Sequence, residues 1–202
     1  MKGGLVIVAV VALLVLGIGG WVVSNYNTLV TKKTEVDKAF AEVDNLLLRR
    51  NDLIPNLVET VKGIAAQEQA VFGQIADARA AMAGARTPEQ KIAAGNAMDS
   101  ALSRLLVVIE NYPQLRSQEN FLRLQDELAG TENRLSVGRT RYNDVVAEYN
   151  VLVKRFPTNL FAGMFGYQEA PFYQVAPEQR EVPRVQFPSA PGSAVPDTAG
   201  AR

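Results

Sequence analysis

The feature that most restricts the fold of this chain is an uninterrupted apolar run near its N-terminus. Residues 5–23 contain no charged side chain, and most of them are aliphatic. As an α-helix rising about 1.5 Å per residue, such a run would extend roughly 28 Å, close to the thickness of a bilayer's hydrocarbon layer. A cleaved signal peptide has a shorter apolar region, of about 7 to 15 residues, followed by small residues. Because this run ends in Trp21-Val22-Val23, we favour a retained transmembrane anchor over residues 1–24.

Basic residues around the run favour one orientation. Lys2 and the terminal amine precede it, whereas Lys32, Lys33 and Lys38 follow it. Since the side richer in Lys and Arg tends to remain cytoplasmic, we expect an outside N-terminus and a cytoplasmic C-terminal domain. The bilayer is therefore the first expected partner.

The composition excludes several chemistries. The 202 residues include neither His nor Cys, and 21 basic side chains balance 21 acidic ones. Imidazole catalysis, thiol nucleophiles, and the usual zinc and iron-sulfur sites are therefore absent. A balanced charge gives no electrostatic footprint for nucleic acid. We expect no cofactor, no metal, no nucleic-acid partner and no enzymatic activity.

A heptad pattern follows the apolar run. Seam positions recur at alternating steps of three and four from Tyr26 to Met82, and Lys33, Arg50 and Glu68 are the charged residues on the seam. This alternation is typical of a helix that buries one face against partner helices. The sequence predicts helix from about residue 25 to 82, with either a kink or a break at Pro55; the unbroken phase favours the kink.

Two further helices are predicted. Thr87-Pro88-Glu89-Gln90 combines an N-cap, a proline at the first helical position and a capping-box Gln, so a helix should begin at Pro88 and run to Tyr112. Ser117 is a candidate cap for a helix that ends before Pro157. We therefore predict an all-α fold: the transmembrane helix, then an antiparallel up-and-down bundle of three or four long helices over residues 25–168.

The C-terminal stretch differs in composition from the rest. From Ala170 onwards it holds six of the ten prolines. Such a segment is typically extended or disordered, so residues 169–202 are predicted to form a Pro-rich tail. Within this tail, residues 182–187 could dock as an extended segment on a bundle groove.

These blocks of sequence resemble the LemA family of bacterial membrane proteins. The resemblance rests on YNTLV from Tyr26, LLLRRNDLIPNLVETVKG from Leu46, the EQ…ADARA stretch around Glu68 to Ala80, EN-YPQL from Glu110, and ENFLRLQDELAGTENRLSVGRTRYNDVVAEYN from Glu119. It implies a single-pass inner-membrane protein with an N-terminal anchor, a helical bundle and no agreed enzymatic activity. It also implies an accessory role, with membrane shaping or a membrane protease as expected associations.

The matching blocks contain ten polar residues that could carry chemistry: Arg49, Arg50, Asp52, Glu68, Glu119, Gln125, Glu132, Arg134, Arg139 and Arg141. Of these, Arg50, Glu68, Glu132 and Arg134 are the candidate interaction and register residues. Arg50 and Glu68 are about 27 Å apart along one helix and cannot pair with each other, so we expect each to meet Glu132 or Arg134 on a neighbouring helix. Buried ion pairs that fix helix register are favoured over a carboxylate metal site, because helical carboxylate sites normally include His.

An apolar patch follows Pro157. It consists of Leu160, Phe161, Met164 and Phe165, and its two readings are a contact with the bilayer interface and a cover for the end of the bundle. The recurring Tyr-Asn pairs that begin at Tyr26, Tyr142 and Tyr149 are read as core tyrosines.

Three functions remain open at the level of sequence. The favoured hypothesis is a membrane-anchored helical scaffold, which self-associates as a homo-oligomer or docks other membrane proteins. The alternative is a membrane-tethered sensor whose bundle accepts a small ligand, which requires a cavity with convergent polar groups. A hydrolase that uses carboxylates alone is the third.

Overall fold

The computed structural model describes residues 2–115 and 117–174, and all regular structure within them is helical. The elements are α1 (Lys2–Lys62), α2 (Gln69–Gly84), α3 (Pro88–Glu110), a short 3-10 turn (Pro113–Leu115), α4 (Glu119–Lys154) and α5 (Thr158–Met164). The predicted all-α class, with an apolar N-terminal helix and a bundle, is confirmed. Residues 175–202, which hold most of the predicted Pro-rich tail and the segment 182–187, lie outside the described residues.

Helix α1 joins the apolar run to the bundle without interruption. It contains 61 residues, which corresponds to about 90 Å of helix. Pro55 lies inside it, and the seam keeps its phase across the proline because Ile54, Leu57 and Val61 are all buried. The alternative of a break at Pro55 is therefore excluded. The N-terminal part of α1 has the length and composition to cross a membrane; α3 also does, but half of its apolar stretch is buried in the bundle.

The first helix ends earlier than predicted. Helix was expected to continue to Met82, but α1 ends at Lys62 and α2 begins at Gln69. Gly63, a poor helix former, starts the turn, and the amide of Ala65 donates to the carbonyl of Val61 at 2.8 Å. Ala65 is completely buried in this turn. The expected seam position at Glu68 therefore falls in a connection rather than on a helix.

The cap at the start of α3 is confirmed, and the expected cap of α4 is wrong. The amide of Gln90 donates to Thr87 Oγ1 at 3.3 Å, and the amide of Thr87 donates to Gln90 Oε1 at 3.2 Å. Helix α4 starts at Glu119, two residues after the expected cap. The N-cap position is Gln118, and the hydroxyl of Ser117 donates to the carbonyl of Gln114 in the preceding turn.

The bundle has two hydrophobic cores along its length. The far core, remote from the apolar run, joins α1, α2, α3 and the start of α4. The near core joins the middle of α1 and the later half of α4 with the near ends of α2 and α3. Because α2 is only 16 residues long, the α2–α3 hairpin covers α1 and α4 along part of their length.

Residues 168–174, which we call the return segment, complete the near core. They have no regular secondary structure, their hydrogen bonds lead back along α4 from Tyr149 to Asn143, and Tyr173 is 3% exposed. The predicted domain boundary after residue 168 thus divides a stretch that the structure holds on the bundle. The return segment stays on the bundle because side chains of α4 form hydrogen bonds with it.

Candidate functional site

Four charged side chains meet inside the bundle, and we call them the charged cluster: Arg50, Asp99, Glu132 and Arg139. Arg50 is 4% exposed and forms an ion pair with Asp99. Its Nη1 also lies 3.0 Å from Glu132 Oε2. Arg139 Nη2 lies 3.0 Å from Asp99 Oδ2, and Arg139 Nη1 lies 3.6 Å from Glu132 Oε1. Two guanidinium groups therefore share two carboxylates, so the cluster is neutral as a whole.

The structure brings together two of the four candidate residues named from sequence. Arg50 and Glu132 are paired, from α1 and α4. Glu68 instead accepts a hydrogen bond from the Tyr112 hydroxyl at 3.2 Å, because the end of α1 at Lys62 takes it off the seam. Arg134 is exposed on α4, away from Glu68. The expectation that Glu68 meets Glu132 or Arg134 is therefore wrong.

Sequence reasoning missed Asp99 as a partner of Arg50. Asp99 follows the buried Met98 directly and is itself 8% exposed. A carboxylate next to a seam position is the available signal, since a charged residue is rarely buried unless it is paired. Arg139 belongs to the matching blocks but was not singled out, because its position beside Gly138 gives no sign of its depth.

A cavity of about 350 Å³ opens above the charged cluster, between α3 and α4. Its floor carries Arg50, Asp99, Glu132 and Arg139, and its walls are largely apolar. The remaining lining residues are Leu102, Ser103, Leu106, Gln125, Leu128 and Ala129. An apolar concavity with a few convergent polar groups is the usual form of a small-molecule site.

Two asparagines of α4 hold the return segment, and we call them the asparagine ladder. Asn143 accepts from the Tyr173 amide at 2.7 Å and donates to the Tyr173 carbonyl at 2.9 Å. Asn150 does the same for Ala170, at 2.8 and 2.9 Å. Seven residues of helix advance about 10.5 Å, and three extended residues advance about 10 Å. The heptad spacing of the asparagines therefore matches the three-residue spacing of the segment.

The tyrosines of the same Tyr-Asn pairs add to this attachment. The hydroxyl of Tyr142 donates to the Pro171 carbonyl at 2.8 Å, and that of Tyr149 donates to the Gln168 carbonyl at 2.9 Å. Burial raises the pKa of Tyr142 to about 12 and also raises the pKa of Tyr149. Both phenols therefore remain protonated donors at neutral pH. The prediction of core tyrosines is confirmed for these two and is wrong for Tyr26, which is 38% exposed.

Tyr173 connects the return segment to the charged cluster. Its ring lies under the guanidinium of Arg139, with 4.6 Å between the guanidinium carbon and the ring centroid. A Cβ atom on Gly95 would lie 2.5 Å from the Tyr173 hydroxyl oxygen, so only glycine at this position leaves room for the phenol. Burial raises the pKa of Tyr173, while the positive charge of Arg139 opposes that rise.

Aromatic side chains join α5 to the end of the apolar run. The ring of Trp21 lies 5.4 Å from that of Phe161, and the ring of Tyr26 lies 5.0 Å from that of Phe165, both in edge-to-face geometry. We call these contacts the aromatic joint. Such pairs stabilise by about 0.5–1.5 kcal/mol beyond the area that they bury. The joint fixes α5 beside the point where the apolar run gives way to the bundle.

The other side of α5 is apolar and exposed. Leu160 is 61% exposed and Met164 is 70% exposed, and both belong to the patch named from sequence. Phe161 and Phe165 are the members that face the joint. The patch is therefore divided between a contact with α1 and a free apolar surface. Among the described residues, no group of three or more acidic side chains is arranged to hold a metal ion.

Comparison with known proteins identifies the family. A model of the LemA family matches residues 39–187. The chain belongs to the LemA family. Similar proteins include two forms of magnetosome protein MamQ from Paramagnetospirillum magneticum AMB-1, each 28% identical over 178 residues, and magnetosome protein MamQ from Magnetospirillum gryphiswaldense MSR-1, at 25% over the same length. Each alignment covers 75% of this LemA-family chain but only 65% of the relative.

Proposed function

We propose that this protein is a membrane-anchored helical scaffold that organises or shapes the membrane through self-association or partner docking. The observation that carries the proposal is the aromatic joint. It holds the free apolar surface of α5 beside the end of an apolar helix segment of membrane-spanning length. An apolar surface at that level suits the boundary between head groups and acyl chains, so the anchor and α5 together would contact the bilayer at two points.

Helix α1 supports a mechanical role. Because the apolar run and the first bundle helix form one helix, displacement of the bundle would tilt the anchor. The relatives, whose names assign them to magnetosomes, are consistent with a membrane-related task. We extend the proposal to a single-pass protein of the inner membrane with a cytoplasmic bundle, on the basis of Lys32, Lys33 and Lys38.

The position of α5 is tested by site-specific labelling. Because the chain has no Cys, Leu160→Cys can be labelled with an environment-sensitive fluorophore in vesicles that contain lipids with quenchers at defined depths. Val137→Cys is the matched control, since Val137 is 70% exposed, close to the 61% of Leu160, but lies in the middle of α4. Quenching at position 160 but not at 137 supports the proposal. Equal, fully aqueous signals at both positions refute the contact of α5 with the bilayer.

Self-association and orientation need separate measurements. Native mass analysis after mild detergent extraction should give species larger than one chain. Cross-linking in intact cells should capture copies of this protein or neighbouring membrane proteins. A membrane protease is among the expected classes of neighbour. A monomer without neighbours refutes scaffolding.

Protease added to intact spheroplasts should leave the bundle uncut; cleavage of the bundle refutes the cytoplasmic orientation.

A second candidate function is a membrane-tethered ligand-binding module. The cavity between α3 and α4 favours it, because the cavity joins apolar walls to a floor of convergent charged groups. A bundle with a solid core would have excluded this function. Ligand binding is compatible with the scaffold, since the cavity and the aromatic joint occupy different parts of the molecule.

A further inference from the structure

We propose that the cavity between α3 and α4 binds a small amphiphilic carboxylate, which takes the place of Glu132 on Arg50 and Arg139. This inference rests on the second candidate function and specifies its ligand. The ligand head is a single negative charge, and its body is a short alkyl or aryl group. The cluster's two carboxylates lie at unequal depths, and the shallower one is the one that a ligand can replace.

Asp99 and Glu132 occupy different environments. The side chain of Asp99 is 9% exposed, whereas that of Glu132 is 43% exposed. Asp99 contacts both guanidinium groups from inside the bundle. Glu132 contacts the same groups from the solvent side, at 3.0 and 3.6 Å. Of the two carboxylates, Glu132 keeps much of its hydration and loses less by leaving its partners, so Glu132 is the carboxylate that an incoming anion can replace.

The donors open to such an anion are those that Glu132 uses now, Nη1 of Arg50 at 3.0 Å and Nη1 of Arg139 at 3.6 Å. Guanidinium groups recognise carboxylates through such N–H donors. If Glu132 rotates into solvent, a ligand carboxylate restores the charge balance of the cluster. Loss of the ligand returns Glu132 to its pairs.

The cavity walls determine the rest of the ligand. Leu102, Leu128 and Ala129 line the cavity above the charged floor, and Leu106 presents 43% of its surface to solvent at its edge. A ligand's apolar body would cover these side chains and remove that surface from water. Since about 350 Å³ is near the lower limit of ordinary ligand sites, the body must be small.

Calorimetry with three matched probes tests this ligand class. Hexanoate, hexanol and hexylammonium share one apolar body and differ in the charge of the head. Each is titrated into the full chain in lipid nanodiscs, and the heat from empty nanodiscs is subtracted. We expect hexanoate to bind at least tenfold more tightly than the other two. Equal binding of hexanol overturns the proposed head group but leaves a ligand-binding module, and no binding of any probe overturns the proposal itself.

Substitutions in the cavity give a sharper criterion. Glu132→Gln leaves two guanidinium groups with one carboxylate, so it should strengthen hexanoate binding by about fivefold or more. Ala129→Phe fills the apolar part and should abolish binding, without altering the charged floor. Arg141→Gln is the matched control, since Arg141 lies on the same helix but its side chain is 62% exposed and pairs with Glu42. Weaker binding by Glu132→Gln, or unchanged binding by Ala129→Phe, overturns the proposal.

Discussion

Removal of one asparagine of the asparagine ladder should release the whole return segment. Asn143→Ala deletes a donor and an acceptor that bond Tyr173. Each such hydrogen bond contributes about 1 kcal/mol net, so the free energy that holds the segment on α4 should fall by about 2 kcal/mol. Since about 1.4 kcal/mol corresponds to a tenfold change, the detached population should rise roughly 30-fold.

The informative measurement is hydrogen exchange at the residue that the other asparagine holds. In Asn143→Ala the amide of Ala170 keeps its own bond to Asn150, so its exchange rate reports detachment of the segment rather than the deleted bond. We expect this rate, resolved by residue-level mass spectrometry, to increase roughly 30-fold. Asn133→Ala, on the exposed side of the same helix, should leave it unchanged. An increase of less than about threefold in this exchange rate would show that the two asparagines act independently.

Three further predictions concern the residues around the ladder and the charged cluster. Gly95→Ala should destabilise the bundle because its Cβ would lie 2.5 Å from the Tyr173 hydroxyl and 3.2 Å from Leu47 Cδ2; in a Tyr173→Phe background the first conflict is removed, so the same change should cost less stability, as urea unfolding would measure. The raised pKa of Tyr142 means that the folded state holds its proton more tightly, so stability should be intact below pH 10 and fall by about 1.4 kcal/mol per pH unit between pH 10 and 12; Tyr142→Phe should flatten that part of the unfolding profile. Asp99→Asn should cost about 3–5 kcal/mol because it leaves two guanidinium groups with one carboxylate, whereas Asp126→Asn, at an exposed site, should leave the thermal midpoint unchanged.

The sequence predicted those parts of the fold that depend on periodicity over long stretches. The seam through Val36, Val43 and Leu47 is buried as expected, and so is the continuation past Pro55. Periodicity did not reveal where α1 ends. Ile64 and Ala65 continue the apolar pattern, so the end at Lys62 depends on Gly63 and on burial of Ala65 in the turn.

The contacts of the site were harder to predict because they depend on which helices become neighbours. Arg50 could be recognised as a buried charge, but its partner Asp99 is 49 residues away and belongs to a helix whose direction depends on the turn at residues 63–68. The partners of the asparagine ladder were equally hard to predict. Asn143 and Asn150 follow seam tyrosines and look like ordinary polar neighbours, and only the path of the return segment gives them partners.

The return segment explains how one end of the bundle can lack a third long helix and still have a closed core. Tyr173 fills the space beside Gly95 that a helix side chain would otherwise occupy, and the asparagines satisfy backbone groups that extended chain would leave unpaired. An extended segment also has a consequence that a helix would not have, because it begins directly after α5. Movement of α5 away from Trp21 would pull on Gln168 and then on Tyr173, whose ring supports Arg139. The aromatic joint and the charged cluster therefore lie at two ends of one short stretch of chain, and the ladder is what holds that stretch in register.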